Sequence, residues 1–333
     1  MAHAPRRAPA DHLSPPCSAE LGDRPTSLSG IATETSTAPA RKLARRLRKK
    51  QREADDIAER QVFEPHKVGL PPFGPYFRNL WRRREFAWAM ARTDMRAQHL
   101  DTNFGRLWLV LNPLLLAFVY FLLVEILRRG HHRPPHSLQH LIAGIFAFSY
   151  MAGTIREGAR TVTAGGGLVL NTAFPRILLP LSTALGQFMR FLPTMLVYAI
   201  IHVATGLPIG PELLLIIPLV VLLTMIASGL AMFTSALQVY FRDLKQFLPY
   251  ILRIWLYLSP VLYYANQAPH AYRPFVIYAN PVGALLTCWS KILMFGQVPG
   301  LNLFLAATGW AVGLLIVGGL FFMSRERDFA VRL

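Results

Sequence analysis

The amino-acid sequence predicts an all-α integral membrane protein, and three observations carry that prediction. Hydrophobic residues make up 53% of the 333 and charged residues only 16%, a balance too apolar for an ordinary soluble domain. From about residue 107 onward the apolar residues gather into six long runs, each near the roughly 20 residues that cross a bilayer core. Backbone in lipid must satisfy its own hydrogen bonds, so such runs are expected to be helices.

The chain divides into three parts. Residues 1–72 form a basic arm. Its first forty residues are rich in Pro, Ala, Ser and Thr and poor in large apolar side chains, which predicts disorder, and residues 41–61 read as a charged helix. The run RKLARRLRKKQR at 41–52 is the densest source of the net charge of +17. Beside an anionic leaflet each Lys or Arg of such a segment gains about 1 kcal/mol, so the membrane surface, not nucleic acid, is the expected partner. The arm holds no apolar run; no cleavable signal peptide is expected, and the first span serves as insertion signal.

Residues 73–106 come next. Phe77, Leu80, Trp81 and Trp88 recur at near-helical spacing with Arg78, Arg82 and Arg83 between them, the pattern of an amphipathic helix lying in the membrane interface.

Residues 107–333 hold the six expected spans: Leu107 to Leu127, Leu138 to Ile155, Leu181 to Leu207, Leu213 to Val239, Phe247 to Ala265 and Leu301 to Met323. Lys and Arg gather on the cytoplasmic side of such spans. Placing both termini in the cytosol puts Arg82, Arg83, Arg84, Arg92, Arg96, Arg106, Arg156, Arg160, Arg176, Arg242, Lys245, Arg325, Arg327 and Arg332 inside. Only Arg128, Arg129, Arg133, Arg273 and Lys291 then face outward. Cys17 and Cys288 fall on opposite sides, so no disulfide framework is implied. Between the fifth and sixth runs, Pro274 to Gly296 is apolar but broken at Asn280-Pro281; two halves too short to cross read as re-entrant external helices.

No G-x-x-x-x-G-K-[ST] loop occurs in the chain. Any ATP and Mg²⁺ therefore belong to a partner subunit, and no cofactor or metal is expected on this one. Ionisable residues inside the runs are few. Arg190 and Arg253 each lie a few residues inside a cytosolic span end, where they either snorkel to headgroups or capture a phosphate, whose oxygens suit the guanidinium fork. Trp255, Tyr257, Tyr263 and Tyr264 crowd the fifth run and serve as interface anchors or as a sugar-stacking track. His131, His132, His136 and His140 cluster around Pro134-Pro135, which breaks any helix that would align them as ligands. No catalytic residue is assigned. A transferase acting on lipid-linked sugars is the alternative reading, with those histidines and Glu125 as its one candidate cluster. Gly309-x-x-x-Gly313 permits close helix approach, and Gly165-Gly166-Gly167 reads as a flexible turn.

Several segments together resemble the membrane subunits of ATP-binding-cassette exporters for polysaccharides, including O-antigen, capsule and teichoic-acid carriers. The resemblance runs from about Trp81 to the C-terminus. RTDMRAQHLDTNFGRLWLVLNPLL, from Arg92 to Leu115, is similar to the family's passage into the first span, with Phe104-Gly105 where Leu-Gly is usual. NTAFPRILLPLS, from Asn171 to Ser182, resembles its coupling connection between spans two and three, and YFRDL, from Tyr240 to Leu244, its cytosolic elbow. Asn280-Pro281-Val282-Gly283 resembles its external re-entrant pair.

The resemblance implies a homodimer with two ATPase copies, moving a polyprenyl-diphosphate-linked glycan outward across the plasma membrane. Asn171, Phe174, Pro175, Arg176, Arg242 and Asp243 would then couple to the ATPase, and Asn280 and Pro281 would form an external gate. SRERDFAVRL and the Arg-, Ala- and Pro-rich arm are similar to actinobacterial members, some of which export cell-wall galactan. Export of a drug or lipid by a related subunit stays open.

Overall fold

The structure, a computed structural model, describes residues 73–97, 107–128, 135–167 and 174–332, and these are helix, turn or loop with no strand among them. The basic arm, with its expected helix at 41–61, lies outside the described residues, as do Asn171, His131 and His132.

The interfacial segment folds as two helices, α1 (Phe73–Arg82) and α2 (Arg84–Ala97), joined at Arg83. α1 is strongly amphipathic. Trp81 and Trp88 stand exposed, with Arg84 5.1 Å over the first ring and Arg92 4.9 Å over the second. Such pairs put an apolar plate and a cation on one surface, as a lipid headgroup layer requires. α2 also buries Ala87 and Ala91.

Among the described residues, five helices are long and apolar enough to cross a membrane. They comprise α3 (Trp108–Arg128), α4 (Ser137–Ala164), α5 (Leu178–Ala204), α6 (Ile216–Tyr240, entered through the 3₁₀ turn Pro211–Leu215) and α9 (Leu301–Arg325). The remaining expected span, Phe247 to Ala265, differs: its helix α7 stops at Leu258 after 15 residues (Leu244–Leu258). At 1.5 Å per residue that is about 22 Å, short of a hydrocarbon core of about 30 Å. The cause is local. Pro260 disfavours helical backbone at the residue before it, and Ser259 is extended with φ −94° and ψ 150°.

The segment before α9 holds two short helices. A π-helical turn, Phe275–Ala279, ends at Asn280, and α8 (Gly283–Phe295) follows. Thirteen residues reach only about 20 Å, and Gly283 to Ser290 are buried without a break, so α8 sits inside the fold. Buried α4 is the axis of the domain; α3, at its edge, has few buried residues.

α6 packs most extensively against α9 and α4. Its contact with α9 depends on glycine. A Cβ built on Gly318 would stand 2.0 Å from the Gly229 carbonyl oxygen, and one on Gly229 2.4 Å from that of Leu314. Gly309 and Gly313, the pair singled out in the sequence, meet nothing within 4 Å. The close approach uses Gly318 of α9 and Gly229 of α6.

Two apolar clusters result. The larger gathers around α4, α6 and α8. The smaller lies at the Tyr240–Leu244 elbow end and joins Val162, Ile177, Leu179, Met232, Val239, Phe322 and Phe329.

Candidate functional site

α3, α4, α5 and α7 leave between them a groove of about 520 Å³. Its walls are apolar at Leu116, Phe148 and Leu252 and polar at Asn112, Ser149, Gln187 and Thr194. Arg156, Arg190 and Arg253 line it against one carboxylate, Glu157. Arg190 and Arg253, 63 positions apart in sequence, thus face the same space. Arg190 stands midway along the 27-residue α5, and Arg253 about two-thirds along α7. α4 also runs nine residues beyond the expected Ile155 end, which is what carries Arg156 and Glu157 to the groove. Pro113, also in the wall, lacks an N–H, so the Leu109 carbonyl four residues back has no helical donor and remains an acceptor.

The aromatic residues of the fifth run do not join Arg190 and Arg253 in one track. The Trp255 indole donates to Asn280 Oδ1 at 2.9 Å. Tyr257 meets Tyr120 of the groove wall, hydroxyl to hydroxyl at 3.5 Å. Tyr263 and Tyr264 lie past the end of α7, where Tyr264 stacks on His140 at 4.1 Å and donates to the Pro135 carbonyl at 2.8 Å.

At the elbow end, two of the expected coupling residues, Arg176 and Arg242, contact the C-terminal tail. Phe174 tilts against Phe86 of α2 at 5.7 Å, and Pro175 leads into the turn that starts α5. Arg176 donates its backbone N–H to Glu326 Oε1 and its guanidinium to the Glu326 carbonyl. The same carboxylate accepts the Tyr76 hydroxyl at 2.7 Å. Burial and the neighbouring carboxylate push the Tyr76 phenol well above its ordinary range, so it stays a donor.

The elbow is tied down the same way. Tyr240 donates to Asp328 Oδ2 at 2.9 Å, and Arg332 lies 4.4 Å over its ring. Gln238 Nε2 donates to the Arg242 carbonyl at 2.6 Å. Asp243 makes no side-chain cap on α7, although its carbonyl accepts the Gln246 N–H at 2.9 Å. Phe241, Arg242 and Asp243 remain exposed, a free surface on a fixed turn.

At the opposite end Asn280 is a buried latch. Its amide donates to Ser259 Oγ at 2.9 Å, and its oxygen accepts both the Trp255 indole and the Val282 N–H. Pro281 follows in the turn before α8. Asn280 and Pro281 lie at the joint between the two short helices, and Asn280 is bonded to Trp255 of α7 and to the Ser259 that follows it. Sequence reasoning missed Glu326, Tyr76 and Ser259, whose partners are 21 to 250 positions away; only the proximity of three helix ends reveals them.

Long apolar helices around a polar, arginine-bearing groove define a multi-pass membrane transport subunit. The chain belongs to the ABC-2 type transporter family, whose model matches residues 85–294. It is 26% identical over 204 residues to an O-antigen export system permease protein, RfbA, of Klebsiella pneumoniae, covering 61% of this chain and 78% of that one. It is 27% identical over 261 residues to the protein of the same description from Myxococcus xanthus, covering 76% of this chain and 97% of that one.

Proposed function

We propose that this chain is the permease subunit of an ATP-driven exporter that carries a lipid-linked polysaccharide from the cytosol to the outer side of the plasma membrane. The observation that carries the reading is the groove: Arg190 and Arg253, from separate helices, line one space with Arg156 and amide and hydroxyl groups. Guanidinium forks suit the diphosphate of a polyprenyl carrier, and the polar wall suits sugar hydroxyls. The relatives named for O-antigen export support this cargo class, and the actinobacterial resemblance extends it to cell-wall galactan.

In this reading both termini are cytosolic, and α7 with the extended turn after Leu258 completes a sixth crossing. The short helices at 275–295 re-enter from outside and, latched by Asn280, gate the exit. Two copies of the chain assemble with two copies of an ATP-binding-cassette ATPase, which binds the ATP and Mg²⁺. The exposed surface at Phe241 to Asp243, with the Phe174 to Arg176 turn, is the docking face for that ATPase. No bond is made or broken by this subunit.

The test is a mild-detergent pull-down of the tagged chain from its host, with mass spectrometry of the eluate and an assay for ATP hydrolysis. Near-equal recovery of a phosphate-loop ATPase is expected. Reproducible absence of one would sink the reading. Depleting the chain is expected to leave lipid-linked glycan, analysed by its sugar composition, on the cytosolic side.

A further inference from the structure

A second cavity, of about 430 Å³, lies at the end of the bundle away from the elbow, between the 260–266 turn, the 273–278 helical turn, α8 and the start of α9. Arg273 and Lys291 line it, and no carboxylate does. The two cations come from elements that are separate in the fold, so neither simply continues a charged surface.

Arg273 is held in place by its Nη2, which donates to the carbonyls of Asn266 and Ala268. Its buried Nε has no acceptor among the described residues. Ser290, 7% exposed, likewise has an Oγ with no partner there. Both residues line the cavity, and a buried donor without an acceptor is costly unless a ligand or a small side-chain shift supplies one. Ile277, Leu286, Phe295 and Leu303 complete the wall with apolar surface.

We infer that this cavity is a binding site for a phosphate ester carried on an apolar tail. The oxygens accept from Arg273, Ser290 and Lys291, and the tail lies along the four apolar side chains. Two sources share this chemistry: an isoprenoid diphosphate and the headgroup of an anionic phospholipid. The site is distinct from the Arg190 groove and does not depend on the export reading. It is measured on the isolated chain, so failure of either reading leaves the other testable.

The experiment uses the full chain in phosphatidylcholine nanodiscs, titrated with farnesyl diphosphate, and a photoreactive analogue of that probe mapped by mass spectrometry. Labelling is expected within residues 260–303. Lys291→Gln and Arg273→Gln are each expected to weaken binding about tenfold or more, the loss of one charge-assisted hydrogen bond. Lys291→Arg, which keeps the charge, retains most of it and separates a lost contact from a lost fold. Inorganic pyrophosphate is expected to bind more weakly by about tenfold or more, because it leaves the apolar wall unused.

Labelling elsewhere, or binding indifferent to both charge-removing variants, overturns the site. Equal affinity for pyrophosphate overturns the tail. Nanodiscs doped with phosphatidylglycerol distinguish the sources: competition assigns a resident lipid headgroup, and no competition assigns the isoprenoid diphosphate. Both results support the shared phosphate-and-tail chemistry.

Discussion

Single side chains that join distant segments carry more of this structure than their number suggests. Glu326 holds the Arg176 turn and the Tyr76 hydroxyl together, so removing it leaves partly buried donors unpaired. Glu326→Ala is expected to lower stability by about 1 to 3 kcal/mol, read as a fall in the melting temperature of the solubilised chain. Tyr76→Phe removes only one of these bonds and is expected to cost about 1 kcal/mol. Asn280 has the same character at the other end. Because its amide and Ser259 Oγ are direct partners, Asn280→Ala and Ser259→Ala are expected to be non-additive. A double-mutant cycle on thermal stability should give a coupling of about 0.5 to 3 kcal/mol, and a coupling near zero would remove the latch from the account.

Helices were legible from the sequence where composition alone sets them, and illegible where packing does. The five long helices follow the apolar runs because a 20-residue run has few other fates in lipid. α7 escapes that logic, since apolar composition continues past Leu258 while Pro260 ends the helix. The end of α4 escapes it in the opposite sense: Arg156 to Ala164 extends the helix beyond its apolar run, and its first two residues, Arg156 and Glu157, line the groove. The groove was half legible, through its two arginines, while Asn112 and Gln187 look like ordinary polar interruptions until the helices meet. Glycine gives the clearest case of what spacing conceals. Gly309 and Gly313 have the recognised spacing and open surroundings, while Gly318, without that spacing, is pressed on Gly229. Gly318→Ala is therefore expected to destabilise by about 1 to 3 kcal/mol, as overpacking does, and Gly309→Ala to be neutral or mildly stabilising in the same melting assay, since alanine is the better helix former. If the two substitutions behave alike, the α6–α9 contact is not set by these glycines.

For the whole molecule, the decisive question is whether the groove acts as one site. The elbow at one end and the Asn280 latch at the other are fixed to the same bundle, and Tyr120 with Tyr257 joins the groove wall to α7 not far from the latch. A ligand held by both arginines would therefore touch α5 and α7 together. Each Arg-to-phosphate bond is of the charge-assisted kind, worth about 1.5 to 3 kcal/mol, so Arg190→Gln and Arg253→Gln should each lower export in reconstituted vesicles by about ten- to a hundredfold. If one diphosphate bridges them, either loss already breaks the bidentate hold, and the double variant should fall well short of the product of the single effects. If the arginines instead reach separate headgroups, the single effects should be small and should multiply. ATP hydrolysis by the co-purified partner, measured without cargo, should be unchanged in all three variants, because neither residue lies on the exposed elbow surface. A loss of that basal hydrolysis would move the arginines from cargo binding to helix packing, whatever happened to export.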